Sequence, residues 1–471
     1  MSTHPDMIDQ QSRRPRHSEW RTEEGFLDPD WMAHLQALIE AGAREDLRDL
    51  MEPLHEADMG DVLEALSAEE RLDLVTLLGE NFDYSSLTEV DEAVRVELID
   101  QLPTTDVARG VASIESDDAV FILEDIEEPD RDAILALVPE FERLTLRRSL
   151  DYPEDTAGRR MQTEFIALPP FWTVGQAIDY MRTAEDLPEE FYQLYVVDPS
   201  FTLLGTIPLD KILRADRPTV ISDIMDDDVI EIVADEDQEE AARVFERFDL
   251  VEVAVVDDSD RLVGVLTVDD MVDVIHQEAD EDFRRLAGIG DEEVSDGVLD
   301  AVRSRFTWLL VNLATAILAS VVIGLFDASL EQMVALAVLM PIVASMGGNA
   351  GTQAMTVTVR AISVHDLDRY NIRRLILRES LVGLSNGLLF AIIIGVVTAV
   401  WFANPALGII IGLAMIVNMF AAGISGILIP LGLNHLGADP AVASSAFVTT
   451  VTDVVGFFVF LGLAAKWFGL V

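Results

Sequence analysis

Cysteine is absent from all 471 residues, which excludes disulfides and thiolate metal ligands. Lysine occurs only at Lys211 and Lys466, against 85 Asp and Glu residues, and the formal net charge is −53. A chain so poor in cations does not suit nucleic acid, whose phosphates need Lys and Arg to displace counterions. The opening stretch, MSTHPDMIDQQSRRPRHSEW, lacks an apolar signal core, so no cleaved secretory peptide is expected there. Residues 1–27 read as a short flexible tail. His clusters and HExxH helices are also missing, which leaves hard oxygen donors as the metal chemistry on offer.

Half of the chain is hydrophobic, and charge separates the two kinds of composition. The acidic excess lies before about residue 300, whereas Arg303 to Val471 is apolar with roughly balanced charge. The first part therefore reads as an acidic soluble module. Self-repulsion at this density is tolerable where salt screens it, with a Debye length of roughly 3 Å at 1 M, so the composition suggests a halophile with a salt-rich cytoplasm.

From Asp28 to Leu150 apolar residues recur at helical spacing, and Pro129 with Asp130 reads as a helix restart. A stack of short helices is expected. Next comes a repeat: VVDPSFTLLGTIPLDKIL (Val196–Leu213) aligns without a gap to VVDDSDRLVGVLTVDDMV (Val255–Val272), 59 positions later. Each copy reads as strand, turn, Gly-containing strand and helix, preceded by a helical stretch, which predicts two tandem α/β units. After an amphipathic helical segment, five apolar runs follow near Phe306–Phe326, Gln332–Val359, Leu381–Phe402, Leu407–Leu433 and Ala441–Leu463. Each can cross a hydrocarbon core, which takes roughly 20 helical residues. Arg303 and Arg305 before the first run, and Arg360, Arg369, Arg373, Arg374 and Arg378 between the second and third, place these ends in the cytoplasm. The soluble module is then cytoplasmic and the C-terminus outside.

Within these runs Asp327 and Glu331 fall at a turn, Glu379 near a helix start and Asp439 in a loop, but Asp453 lies about midway along the last. An ionised Asp there costs about 2.5–3.5 kcal/mol on insertion scales, so it should face a polar interior. Thr449 precedes it by one turn. In the second run PIVASMGGNAGTQ (Pro341–Gln353) combines a proline with three glycines and the neutral donors Asn349, Thr352 and Gln353. This predicts local unwinding beside a cavity, or tight helix packing. One carboxylate among hydroxyls and carbonyls suits Mg2+, which keeps several of its waters, and a two-fold dimer would bring two copies together. Residue chemistry alone indicates a divalent-cation channel or transporter.

The repeated VVD…G…D pair, VDDMVDVIHQEADEDFRRLAG, MGGNAGTQ with its following VRA, and DPAVASSAFVTTVTDVVG together resemble the MgtE magnesium channel family from about Asp28 onward. The resemblance implies an all-α N domain over 28–150, an α/β tandem CBS pair over 151–217 and 218–277, a connecting plug helix over 278–303 and an all-α five-helix channel domain over 304–471. It implies a homodimer in the cell membrane with a pore lined by the second and fifth spans. Asp453 would be the ion site, with Thr449 a turn away, Asn349 on the facing span, and Ser445 two turns before the Asp where some relatives have Asn. It also implies closure by cytosolic Mg2+ at Asp237, Asp249, Asp270, Asp273, Glu281 and Asp282. Gly264, Thr267 and Asp270 match the ribose-contact pattern of nucleotide-binding CBS pairs, which implies ATP there; the first copy has Pro208 and Lys211 instead. No catalytic chemistry is expected. An intramembrane aspartyl protease needs two facing carboxylates, a coupled transporter would use Asp453 as carrier, and a sensory receptor has no use for a polar broken helix.

Overall fold

A computed structural model of the chain describes residues 20–22, 24–184, 187–188, 190–287, 289, 298–364, 369–436 and 444–470. Most of the expected tail, Gly288, and Asp439 with the start of its DPAVASS segment lie outside the described residues. The chain divides into two units, Met1–His276 and Gln277–Val471.

The first unit opens with short helices: α1 (Pro29–Ala41), α2 (Arg44–Met51), α3 (Glu56–Ala65), α4 (Ala68–Leu78), α5 (Glu92–Gln101), α6 (Thr104–Val111), α7 (Ser116–Glu124), α8 (Glu128–Leu135) and α9 (Glu140–Leu150). Their ends follow local chemistry. Asp28 caps α1 by accepting from the Asp30 and Trp31 amides, and Gly42 closes it at φ 65°. Ser67 and Glu70 form a capping box on α4, and Pro129 sits in the first turn of α8. Leu35, Leu47, Leu63, Leu74, Ile122 and Leu123 build one core. Arg95 is buried with them. Its guanidinium donates to the Leu87 and Val90 carbonyls at 3.1 Å and to Asp125 Oδ2 at 2.5 Å, and it lies 4.5 Å from the Phe121 ring centre.

A four-residue helix, α10 (Ala157–Arg160), leads into the repeat. The first copy holds β1 (Ala167–Leu168), α11 (Val174–Thr183), β2 (Gln193–Val197), β3 (Leu203–Pro208) and α12 (Leu209–Arg214). The second holds β4 (Glu231–Val233), α13 (Gln238–Phe248), β5 (Glu252–Val256), β6 (Leu262–Thr267) and α14 (Val268–Ala287). Each sheet pairs its first strand parallel and its last antiparallel to the middle one. The sequence offset of 59 reappears as register: Val196 faces Gly205 and Val255 faces Gly264, with a bulge just after each. The copies meet through Tyr195, whose hydroxyl donates to Glu252 Oε1 at 2.5 Å, and Gln193, which donates to the Glu252 carbonyl at 3.0 Å. The helical part packs on this pair. Arg160 donates to Glu124 at 3.1 Å, and the Ser116 hydroxyl donates to Glu164 at 2.7 Å.

The second unit contains α15 (Val298–Gly324), the short α16 (Asp327–Gln332), α17 (Val334–Val364), α18 (Arg369–Trp401), α19 (Pro405–His435) and α20 (Ser444–Phe468). Five of these are long and apolar enough to cross a membrane. Most run beyond the apolar windows, because helical hydrogen bonding continues into polar ends that hydropathy does not register. Asp327 and Glu331 lie on α16 rather than in a simple turn.

Two expectations need correction. The proline–glycine segment does not unwind, since α17 is one helix from Val334 to Val364 with Pro341 inside it. Pro341 falls in the third turn and removes a single donor, and Gly347 and Gly351 are held by close neighbours: a Cβ at Gly351 would stand 2.4 Å from Val448 Cγ1. Glu379 is not at a helix start; it lies well inside α18 and is buried. Small residues likewise join α18 to α19. A Cβ at Gly383 would meet the Met419 carbonyl at 2.6 Å and one at Gly408 the Gly395 carbonyl at 2.3 Å.

Candidate ion site

On α20, Ser445, Thr449 and Asp453 recur every four residues and so share one face. Asp453 is half-buried and Thr449 exposed in the single chain. The neighbouring threonines satisfy themselves: Thr450 donates to the Ala446 carbonyl at 2.6 Å and Thr452 to the Thr449 carbonyl at 2.9 Å. Among the described residues the Thr449 hydroxyl makes no hydrogen bond, so it is available to a ligand. Asp453 has no cationic partner among the described residues, and it is the one acid on α20.

α17 supplies a second polar row. Ser345, Asn349, Thr352 and Thr356 are all exposed and lie three or four residues apart, one above another. Buried Val343, Gly347, Gly351 and Met355 form the opposite face, against α19 and α20. A lipid-exposed polar row is unfavourable in hydrocarbon. The row is suited to line water, and the helix is rolled so that its small residues pack while its oxygens point outward.

Among the described residues no three Asp, Glu or His side chains gather closely enough to hold a metal ion by themselves. The site on α20 therefore offers one carboxylate per chain, which fits an ion that retains most of its hydration shell.

The acids of the expected regulatory site fall in both units, and each is described where it stands. Asp237 caps the start of α13, accepting from the Glu239 amide at 2.9 Å, and Asp249 closes the same helix in a left-handed conformation, φ 52°. Both are exposed, roughly 18 Å apart along the helix. Glu281 pairs with Arg285 one turn on, and Asp282 is also partnered. Asp270 and Asp273 instead meet acids of the helical part that the sequence reading missed. Burial, with the charge of Asp270, raises Asp117 well above the usual carboxylate range and pushes Asp118 up to about 7. Burial, with the charge of Asp269, pushes Asp270 up to about 6. Glu89 is raised by burial and by the charge of Asp273. These five acids influence one another through charge, although among the described residues they do not gather as a ready-made metal-binding group. In a chain with 85 acids, no local signal distinguishes Asp117 and Asp118 from a solvated helix start.

At the carboxyl end of β6 the Thr267 hydroxyl donates to Asp270 Oδ2 at 2.6 Å. Gly264 is required by packing, because a Cβ there would stand 2.6 Å from Met161 Sδ and 2.8 Å from the Gln162 carbonyl.

Three family models match: the divalent cation transporter MgtE over residues 340–463, the MgtE intracellular N domain over 54–155 and the CBS domain over 221–277. The magnesium transporter MgtE of Enterococcus faecalis is 36% identical over 322 residues, covering 68% of this chain and 71% of that protein. The magnesium transporter MgtE of Thermus thermophilus is 30% identical over 436 residues, 91% of this chain and 97% of that protein. A solved structure of the cytosolic domain of the Mg2+ channel MgtE in complex with ATP is 30% identical, with a TM-score of 0.49 over 52% of this chain and 99% of that one.

Proposed function

The chain belongs to the MgtE family of magnesium transporters, and we propose that two copies form a Mg2+-selective channel whose path runs between α17 and α20 past Asp453. The observation that carries this is the carboxylate of Asp453, without a cationic partner among the described residues, in an otherwise acid-free helix, with the Thr449 hydroxyl one turn away. The exposed row Ser345, Asn349, Thr352 and Thr356 supports it, because a second copy would cover that row and bring two Asp453 carboxylates together. In this reading the ion crosses largely hydrated; its charge is met by carboxylate, and its waters by Thr449, Ser445 and Asn349. The N-terminal domains face the cytoplasm and the C-terminus the outside.

Purified full-length protein in liposomes tests it, with Mg2+ current compared between wild type and Asp453→Ala. Loss of current is expected; an unchanged current rejects the site. A conductance that tracks pH rather than Mg2+ would favour a carrier instead.

Closure by cytosolic Mg2+ is the regulatory half of the proposal. Asp117 and Asp118 meet the charge of Asp270, and Glu89 that of Asp273, in the packed arrangement. A bound divalent cation would offset that repulsion and favour the compact form. Adenine nucleotide belongs to the same regulatory reading: Thr267 and Asp270 are the groups that would meet ribose hydroxyls, so nucleotide and cation would share Asp270. Titration calorimetry with ATP, with and without Mg2+, tests this; no heat in either case rejects it.

A further inference from the structure

Asn418 is the only polar side chain between Asn404 and Ser425 and is fully buried in α19. A primary amide in such surroundings is unfavourable unless its groups are engaged. Its Nδ2 donates to the Val343 carbonyl of α17 at 2.9 Å. Two glycines complete the slot. A Cβ at Gly347 of α17 would stand 2.2 Å from Nδ2, and one at Gly456 of α20 would stand 2.8 Å from it. The α-hydrogens in those directions face the amide, whose Oδ1 has no conventional hydrogen bond and lies 3.1 Å and 3.2 Å from the two Cβ positions. Three helices thus converge on one side chain, and alanine at either glycine would collide with it.

The slot lies level with the ion site. Gly456 follows Asp453 by three residues, about 4.5 Å along the axis, and Gly347 precedes Asn349 by two, about 3 Å. The seam continues along the same faces: a Cβ at Gly351 would meet Val448, and one at Gly426 would meet Ala354 at 2.7 Å. Those contacts are steric and permit small rotations of one helix on another. The Asn418 bond is directional and holds one carbonyl of α17 at a defined angle. It therefore sets the roll of α17, and with it which residues turn toward the path.

We infer that Asn418 is the positioning residue of the ion path: its amide ties Val343 of α17 beside Gly456 of α20 and so sets the gap and roll between the helices that carry Asn349 and Asp453. This rests on reading α17 and α20 as the helices that line the path. Mg2+ demands a tighter and more regular shell than Ca2+, so a change in that gap alters discrimination as well as throughput.

The test uses the full-length protein in liposomes, with Mg2+ alone or Ca2+ alone as the permeant ion and thermal stability measured on the same preparations. Asn418→Ala is expected to lower Mg2+ flux by about tenfold, the scale of losing one buried hydrogen bond, and to narrow the preference for Mg2+ over Ca2+. The double variant Asn418→Ala with Gly347→Ala refills the slot without restoring the bond. Recovered stability with flux and preference still impaired supports positioning by the amide; recovery of all three shows space-filling alone and overturns it. Wild-type flux and preference in Asn418→Ala, while Asp453→Ala is inactive, also overturns it. Wild-type current in Asp453→Ala instead defeats the reading of the path on which the inference rests.

Discussion

Asp118 of α7 lies within reach of the charge of Asp270 of α14 where the helical domain packs on the second CBS copy. Burial and the charge of Asp270 push Asp118 up to about 7, and burial with the charge of Asp269 pushes Asp270 up to about 6. Both values lie above those of carboxylates in an unfolded chain. The packed state therefore binds more protons than the unpacked one between about pH 4 and 7, and its stability falls as pH rises through that window. Without divalent cations, the full chain in detergent is expected to resist proteolysis near Asp118 better at pH 5.5 than at pH 8. Added Mg2+ should restore resistance at pH 8 and change little at pH 5.5. Equal protection at both pH values without Mg2+ would contradict the arrangement.

Asp118→Asn removes one charge of the cluster and keeps its shape. Thermal stability at pH 8 without divalent ions is expected to rise by a few degrees, and the Mg2+-dependent increment to shrink. A variant that retains the full Mg2+ increment would remove Asp118 from the regulatory site.

At the ion path, Asp453→Asn should abolish Mg2+ flux, because an amide of the same shape lacks the charge. Thr449→Ala should reduce it by less than Asp453→Asn, since an ordered water can replace a hydroxyl. Flux through both variants is read from a Mg2+-sensitive dye inside liposomes. Equal losses in the two would assign Thr449 direct contact with the ion rather than with its waters.

Arg95 closes three acceptors in the helical core, the Leu87 and Val90 carbonyls and Asp125. Arg95→Ala leaves two backbone carbonyls and the part-buried Asp125 without this donor, and is expected to destabilise this domain by roughly 3 kcal/mol, measured by denaturant unfolding. Arg95→Met should cost less only if stacking on Phe121 outweighs the hydrogen bonds.

The net charge of −53 predicts a salt dependence. Lowering KCl from about 1 M to about 0.1 M lengthens the screening distance from roughly 3 Å to 10 Å, and thermal stability should fall. An unchanged melting curve would contradict the halophilic reading.

Much of this was legible along the chain. The offset of 59 between Val196 and Val255 foretold two sheets of identical register, because strand pairing preserves local order. Apolar length foretold the five long helices. Of the two readings of the Pro341–Gln353 stretch, unwinding fails and tight packing holds: proline and glycine weaken a helix locally, but the packing of Gly347 and Gly351 against neighbouring helices accompanies one continuous helix. Glu379 was misplaced because the apolar run begins after the helix does.

By itself the sequence determined the element types, the tandem repeat, the membrane segments and the isolation of Asp453, since each follows from local periodicity, length or the absence of neighbouring charge. Tertiary structure alone decided which acids crowd together and which do not. It separated Asp237 from Asp249 along one helix, brought Asp117 and Asp118 to Asp270, and closed Gly347 and Gly456 around Asn418. Burial and proximity between residues distant in the chain are set by packing, and packing has no period that a single sequence displays.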